Sequence, residues 1–268
     1  MSSLTAFAGN IPHNYDTYLG PLFFEPYAID LVQQLQGNDY QSVLELACGT
    51  GRVTTHLVEK IAPGGSLQAM DLNEDMLRIA KSKLPDSRIV WSVADAHRLP
   101  FADGQFEVVV CQFGVMFFED KPKALREVFR VLKQGGRFYF NTWDRIEFNA
   151  VADVARQTLQ QIFPDDPPAF IEKGPYSFFD PELIRQLLED AGFTSIEIER
   201  VPRTSVAPSP EDVTAGFLDG TTLRPYLQER HSQDAAVRQL FRELLVLRYG
   251  ERDLELPMQA FVCEAIKP

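Results

Sequence analysis

Five strand-like runs between residues 42 and 143 alternate with helix-like ones, and that alternation leaves few folds open. The runs are SVLELA (42–47), GSLQAM (65–70), RIVWSV (88–93), FEVVVCQ (106–112) and RFYFNTW (137–143). The unbroken Val108-Val109-Val110-Cys111 suits a strand buried on both faces, as a parallel sheet requires. Arg52–Lys60 follows a glycine loop, Glu74–Lys83 starts from Asn73 as N-cap, and Lys121–Leu132 ends at Gly135-Gly136. Together these predict a doubly wound α/β sheet.

The remainder is less regular. Residues 147–163 form an amphipathic pattern with Phe148, Val151, Ala155, Leu159 and Ile162 on one side. Asp180-Pro181 opens a helix that stops at Gly192. TSIEIERV (194–201) and QAFVCEAI (259–266) alternate as strands do, and the segment between them has no strand pattern. Its strongest element is a helix over 235–249 with Val237, Leu240, Phe241, Leu244 and Leu247 on one face, so the segment reads as a helical cap. Twenty phenylalanines allow a large apolar core or pocket. A net charge of −12 is the wrong sign for neutralising nucleic-acid phosphates or docking on anionic lipid. The three cysteines, Cys48, Cys111 and Cys263, have no metal-ligand or redox spacing, so neither a metal nor a disulfide is expected. Neither a signal peptide nor a run of about 20 apolar residues is present, so a cytoplasmic protein without a transmembrane segment is expected.

The stretch VLELACGTGRVTTHLVEK carries the chemistry. Gly49-Thr50-Gly51 after a strand and before a helix lets backbone approach a ligand, and the free N–H groups there favour negative charge. About 20 residues on, Asp71 ends the second strand, where a carboxylate can accept both hydroxyls of a ribose. A dinucleotide fingerprint would need glycine where this chain has Thr54, and Glu45 would repel a pyrophosphate. A nicotinamide oxidoreductase therefore fits poorly. A nucleoside cofactor bearing an ammonium and a sulfonium, as S-adenosylmethionine does, fits better: carboxylate to the loop, amine toward Glu45, ribose to Asp71.

VLELACGTGRVT, AMDLNEDML, ADAHRLPFADGQFEVVVCQFGVMFFED and ALREVFRVLKQGGRFYFNTW resemble successive motifs of class I S-adenosylmethionine-dependent methyltransferases. The resemblance is to the small-molecule branch that includes ubiquinone/menaquinone biosynthesis methyltransferases. It is strong over 42–143, and looser for YDTYLGPLFFEPYA and for Phe179 to Phe193. It implies a Rossmann-like sheet of seven strands in the order 3-2-1-4-5-7-6, with a helical cap inserted between the last two. It also implies three parts: an N-terminal helical segment over the cofactor (1–40), the cofactor-binding domain (41–202 and 257–268), and the cap or substrate insertion (203–256). Matched position by position, Glu45, Ala47, Gly49 and Gly51 would hold the methionine part, and Asp71 the ribose. Leu72 would pack on adenine with Met76 nearby, and Asp95 and Ala96 would read the adenine amino edge. Gln112 and Phe113 would lie beside the reacting methyl. Tyr18 would cover the cofactor, and Tyr15, Trp143 and His231 are candidates for the acceptor side.

Plainer roles stand beside several of these. Glu45 could serve the loop's own N–H groups, Asp95 could cap a turn, Met76 could be core, and Tyr15, Tyr18 and Trp143 could simply pack. Cys48 reads as a small loop residue, His97 as a surface histidine, and His13 as a weak candidate in a covering segment. The reaction calls for no Ser/His/Asp or Cys/His constellation, and no general base is assigned. After the fourth strand the chain reads QFGV, not the Asn/Asp-Pro-Pro-Tyr/Phe of nucleic-acid methyltransferases. The expected reaction is in-line methyl transfer from S-adenosylmethionine to a small, partly apolar acceptor. The alternative is a member of the same fold that acts on a protein or binds the cofactor without methyl transfer.

Overall fold

The fold was obtained as a computed structural model that describes residues 9–229 and 231–268, apart from the side chains of Phe170, His231 and Ser232. Seven strands form one sheet: β1 (Tyr40–Leu46), β2 (Ile61–Asp71), β3 (Ile89–Val93), β4 (Phe106–Gln112), β5 (Leu132–Trp143), β6 (Thr194–Ala207) and β7 (Leu254–Ile266). Their order is β3-β2-β1-β4-β5-β7-β6. The first five are parallel, and β7 runs antiparallel between β5 and β6. Val108 to Cys111 are buried at the centre, as their unbroken apolar run predicts.

The chain enters through α1 (Ile11–Asn14), a π-helical stretch Tyr15–Phe24, and α2 (Glu25–Gln33). The crossovers are α3 (Arg52–Leu57), α4 (Glu74–Lys83) and α5 (Lys121–Val131). Asn73 caps α4 through the N–H groups of Asp75 and Met76. After β5 come α6 (Ala150–Ile162), α7 (Phe170–Lys173) and α8 (Pro181–Asp190), the last capped by Asp180. The helices α9 (Pro210–Asp219), α10 (Leu223–Glu229) and α11 (His231–Tyr249) are inserted between β6 and β7.

Four local expectations are corrected. Gly135-Gly136 do not end α5: it stops at Val131, and both glycines lie in an irregular start of β5, where Leu132 already pairs with Phe106. Phe148 is not on the buried face of α6. The Asn149 amide donates to the carbonyls of Asp144, Arg145 and Gln259, the helix starts after it, and Phe148 in the preceding turn is 49% exposed. In α11 the buried stripe is Val237, Phe241 and Leu245, one residue every four, while Leu247 points to solvent. Finally, β6 runs past Pro202, which an edge strand tolerates because one face of its hydrogen-bonding groups has no partner strand.

Candidate active site

Strand order reverses between β1 and β4, and the chain leaves the carboxyl ends of these two strands in opposite directions. Two non-glycine residues there adopt left-handed backbone, Ala47 (φ 51°) after β1 and Phe113 (φ 48°) after β4. Such conformations cost free energy and persist where the surroundings enforce them. The two turns touch: a Cβ added to Gly114 would lie 2.6 Å from the Ala47 Cβ.

The loop glycines divide their work. Gly49 (φ 55°) has nothing within 4 Å of where a Cβ would stand, so its Cα faces open space. Gly51 (φ 83°) faces inward, and a Cβ there would sit 3.2 Å from the side chains of Ala80 and Leu84. One glycine leaves its own face bare; the other lets α4 pack close. Thr50 between them is buried, and its hydroxyl has no hydrogen-bond partner among the described residues.

Two carboxylates are held by this loop and the helix after it. Glu45 is 1% exposed and accepts a 2.6 Å hydrogen bond from the Thr54 hydroxyl. Burial pushes its carboxyl up to about 8; the Thr54 bond offsets part of this and the Asp71 charge adds to it. Asp71 accepts from the Gly49 N–H through Oδ2 and from the Asn73 N–H through Oδ1, each at 2.8 Å. Burial still raises its carboxyl above the usual range despite these bonds. Thr54, notable in the sequence only for not being glycine, is thus the group that orients Glu45.

Beyond Asp71 the crevice is open. Leu72 is 44% exposed, and the side chain of Asp95 is more than half so. Ala96 and Met76 are buried. Asp95 Oδ1 accepts the His97 N–H at 2.9 Å and lies 2.6 Å from His97 Nδ1, while His97 Nε2 accepts the Asp120 N–H at 3.2 Å. His97 is therefore tied between two loops rather than loose at the surface.

The other end is covered. Tyr15 stacks on Phe24 with ring centroids 4.9 Å apart, and Phe24 meets Phe113 at 5.7 Å. Phe113 lies flat on Trp143 at 3.9 Å, and Trp143 stacks on Tyr176 at 6.0 Å. Gln112 Nε2 donates to the Phe24 carbonyl at 3.0 Å, anchoring the N-terminal segment to the end of β4. Burial, with the nearby Asp71 charge adding, holds the Tyr15 hydroxyl protonated well above its ordinary range, so Tyr15 is no base. Tyr18 faces α9, where a Cβ on Gly216 would lie 2.9 Å from its own Cβ. His13 is exposed, and the side chain of His231 lies outside those described.

Arg52 was not foreseen. It reaches from the first turn of α3 to the Asp16 carbonyl (2.6 Å) and the carboxylates of Asp16 and Glu25 (both 3.3 Å). His56 reaches Glu25 at 2.8 Å, and Lys83 reaches Asp16 at 2.5 Å. A Cβ on Gly20 would collide with the guanidinium, so the covering segment lies directly on it. Cations on a helix carry no signal of partners 27 to 67 residues upstream.

The model of the ubiE/COQ5 methyltransferase family matches residues 23–207. The chain belongs to this family. The ubiquinone/menaquinone biosynthesis C-methyltransferase UbiE of Klebsiella pneumoniae (strain 342) is 30% identical over 183 residues, which cover 62% of this chain and 72% of that one. Among solved structures, Haemonchus contortus phosphoethanolamine N-methyltransferase 2 in complex with S-adenosyl-L-methionine superposes with a TM-score of 0.60 at 18% identity, covering 96% of this chain and 56% of that one. The [4+2]-cyclase SpnF superposes at 0.54 with 16% identity, covering 91% and 81%. A cyclase on the same scaffold shows that fold alone does not name a reaction.

Family membership makes this ubiE/COQ5-family chain an S-adenosylmethionine-dependent methyltransferase. Its crevice suits that cofactor chemically. A bare glycine face adjoins the Asp71 carboxylate, which can accept a diol; a second, buried carboxylate, Glu45, closes the preceding strand, and Leu72 beyond Asp71 is half-exposed. Among the described residues no group of three or more His, Cys, Asp or Glu is placed to hold a metal ion. Nor is any helix there long and apolar enough to cross a membrane.

Proposed function

We propose that this chain methylates a small, partly apolar acceptor by in-line displacement, with the acceptor against the aromatic wall at the ends of β4 and β5. The observation that carries the reading is a bare Gly49 whose N–H is held by Asp71, in a loop whose helix holds the buried Glu45 through Thr54. Bound there, S-adenosylmethionine supplies a methyl group on a sulfonium. Glu45, oriented by Thr54, holds the ammonium end; Asp71 holds the ribose; Leu72, Asp95 and Ala96 border the adenine. Gln112 and Phe113 border the methyl. Phe24, Phe113, Trp143 and Tyr176 exclude water and present flat faces to an acceptor. Charge is consumed in the transfer, so a dry apolar wall does not oppose it, and alignment is the larger contribution of the protein.

Calorimetric titration with S-adenosylhomocysteine tests the cofactor half, beside the Asp71→Ala variant and an NAD control. Binding in the micromolar range, about −8 kcal/mol, that is lost in Asp71→Ala is expected. Absence of S-adenosylhomocysteine binding, or preferential binding of NAD, would overturn the reading.

A further inference from the structure

A groove of about 680 Å³ lies along the β6–β7 edge of the sheet, lined among others by Phe148, Pro202, Tyr249, Pro257 and Gln259. It is separate from the methyl-transfer crevice. Trp143 pairs with Ala260 and meets Tyr27, whereas Gln259 is one residue out of step and Arg200 pairs with Phe261, so these two lie on the opposite face of the sheet.

The exposure of Phe148 in this groove is built in. Asn149 after it donates to three carbonyls and accepts the Gln259 N–H at 3.1 Å, which fixes the turn and holds the ring outward. At the Gln259 end stands Arg200, on the same side of β6 as Pro202. Its Nε donates to Asp144 Oδ2 at 2.9 Å, and the Gln259 amide donates to the same oxygen at 2.6 Å. Asp144 is 1% exposed, and its Oδ1 accepts the Arg145 N–H at 2.7 Å. The guanidinium also lies over the Phe261 ring, 5.2 Å from its centroid. A buried carboxylate behind it and a ring beneath it thus fix the plane of the fork.

The Arg200 side chain is nonetheless 57% exposed, and Nη1 and Nη2 have no hydrogen-bond partner among the described residues. That outer edge matches a carboxylate two bonds at a time. Arg203, which also lines the groove, is engaged by Asp30 on the other face. Glu147 lines the groove and Glu199 and Glu255 are exposed on the two strands, so a second negative charge on a ligand would be repelled.

We propose that this groove binds a small monocarboxylic acid with an alkyl body. Its carboxylate lies on the outer edge of Arg200, and its chain runs along Pro202, Pro257 and Phe148.

The test uses octanoate and octanamide, which match in length and differ in charge. Each is titrated by calorimetry into the full chain with no cofactor added. The expected preference for octanoate is about tenfold or more, falling to within about twofold in Arg200→Gln, where glutamine keeps a donor for Asp144 but no charge. Phe148→Ser should weaken both ligands about fivefold. Equal affinities in the natural chain, no saturable binding of octanoate, a preference that survives in Arg200→Gln, or affinities unmoved by Phe148→Ser would overturn the proposal. Should Arg200→Gln fail to fold, proton NOEs in the natural chain decide. Contacts from the octanoate chain to the Phe148 ring are expected; their absence, or contacts to the rings of Phe113 or Trp143 instead, would refute the groove.

Discussion

On the proposed reading, Glu45 makes the cofactor site a proton-linked one. With its carboxyl pushed up to about 8 by burial, it is mostly protonated at pH 7 in the free protein. An ammonium brought beside it favours the ionised form, which returns the group toward the ordinary carboxylate range. Binding S-adenosylhomocysteine at pH 7 should therefore release most of a proton from Glu45. Affinity should weaken about tenfold between pH 7 and pH 6, because one proton must leave for each ligand bound. Calorimetry at pH 7 in buffers of differing ionisation heat measures the release directly. 5′-Methylthioadenosine, which has no amine, should release almost none. Glu45→Gln keeps an acceptor for the Thr54 hydroxyl and should abolish the release. The sign for stability is fixed as well: a carboxyl raised in the folded state costs nothing at pH 4 and destabilises progressively as pH rises toward 8. Glu45→Gln should then raise the melting temperature at pH 8 and leave it near the natural value at pH 4. Proton release that is absent in the natural chain, or unchanged in Glu45→Gln, would refute the placement of the ammonium at Glu45.

Gly49→Ala should cost about 1–2 kcal/mol of stability through its left-handed backbone, yet weaken S-adenosylhomocysteine by tenfold or more, because its new methyl enters the open face. Gly51→Ala carries the same backbone penalty plus the contact with α4, so by urea unfolding it should be the less stable of the two. Gly114→Ala forces a Cβ onto Ala47 and the Cys111 sulfur, and should lose about 1–3 kcal/mol in the same assay. Arg52→Ala unties partly exposed ion pairs worth about 1 kcal/mol, so limited chymotrypsin digestion after the tyrosines and phenylalanines of residues 11–33 should accelerate about fivefold; unchanged digestion would show that packing alone holds the segment.

The reach of the sequence is measured by distance along the chain. The caps at Asn73 and Asp180 were legible because each side chain bonds an N–H two or three residues on. The parallel core was legible because a strand buried on both faces must be apolar at every position. The glycine loop was legible as a tight turn between strand and helix, but not which glycine faces open space. That depends on where α4 packs. Leu247 shares an apolar pattern with Phe241, yet Leu245 takes the buried place, since which residues of a mostly apolar helix turn inward depends on the neighbour it meets.

What the sequence determined by itself is a doubly wound sheet with an acid at the end of β1, a glycine loop and an acid at the end of β2. All of these follow from local pattern and strand alternation. Tertiary structure alone decided the pairing of Glu45 with Thr54, the hold of Arg52 on Asp16 and Glu25, and the bond from Arg200 to Asp144. It also decided that the crevice is covered at its Tyr15 end and open at Leu72. The reason is physical. Each of these contacts joins elements that become neighbours only once the strands take their order, and no residue type announces a partner on another strand.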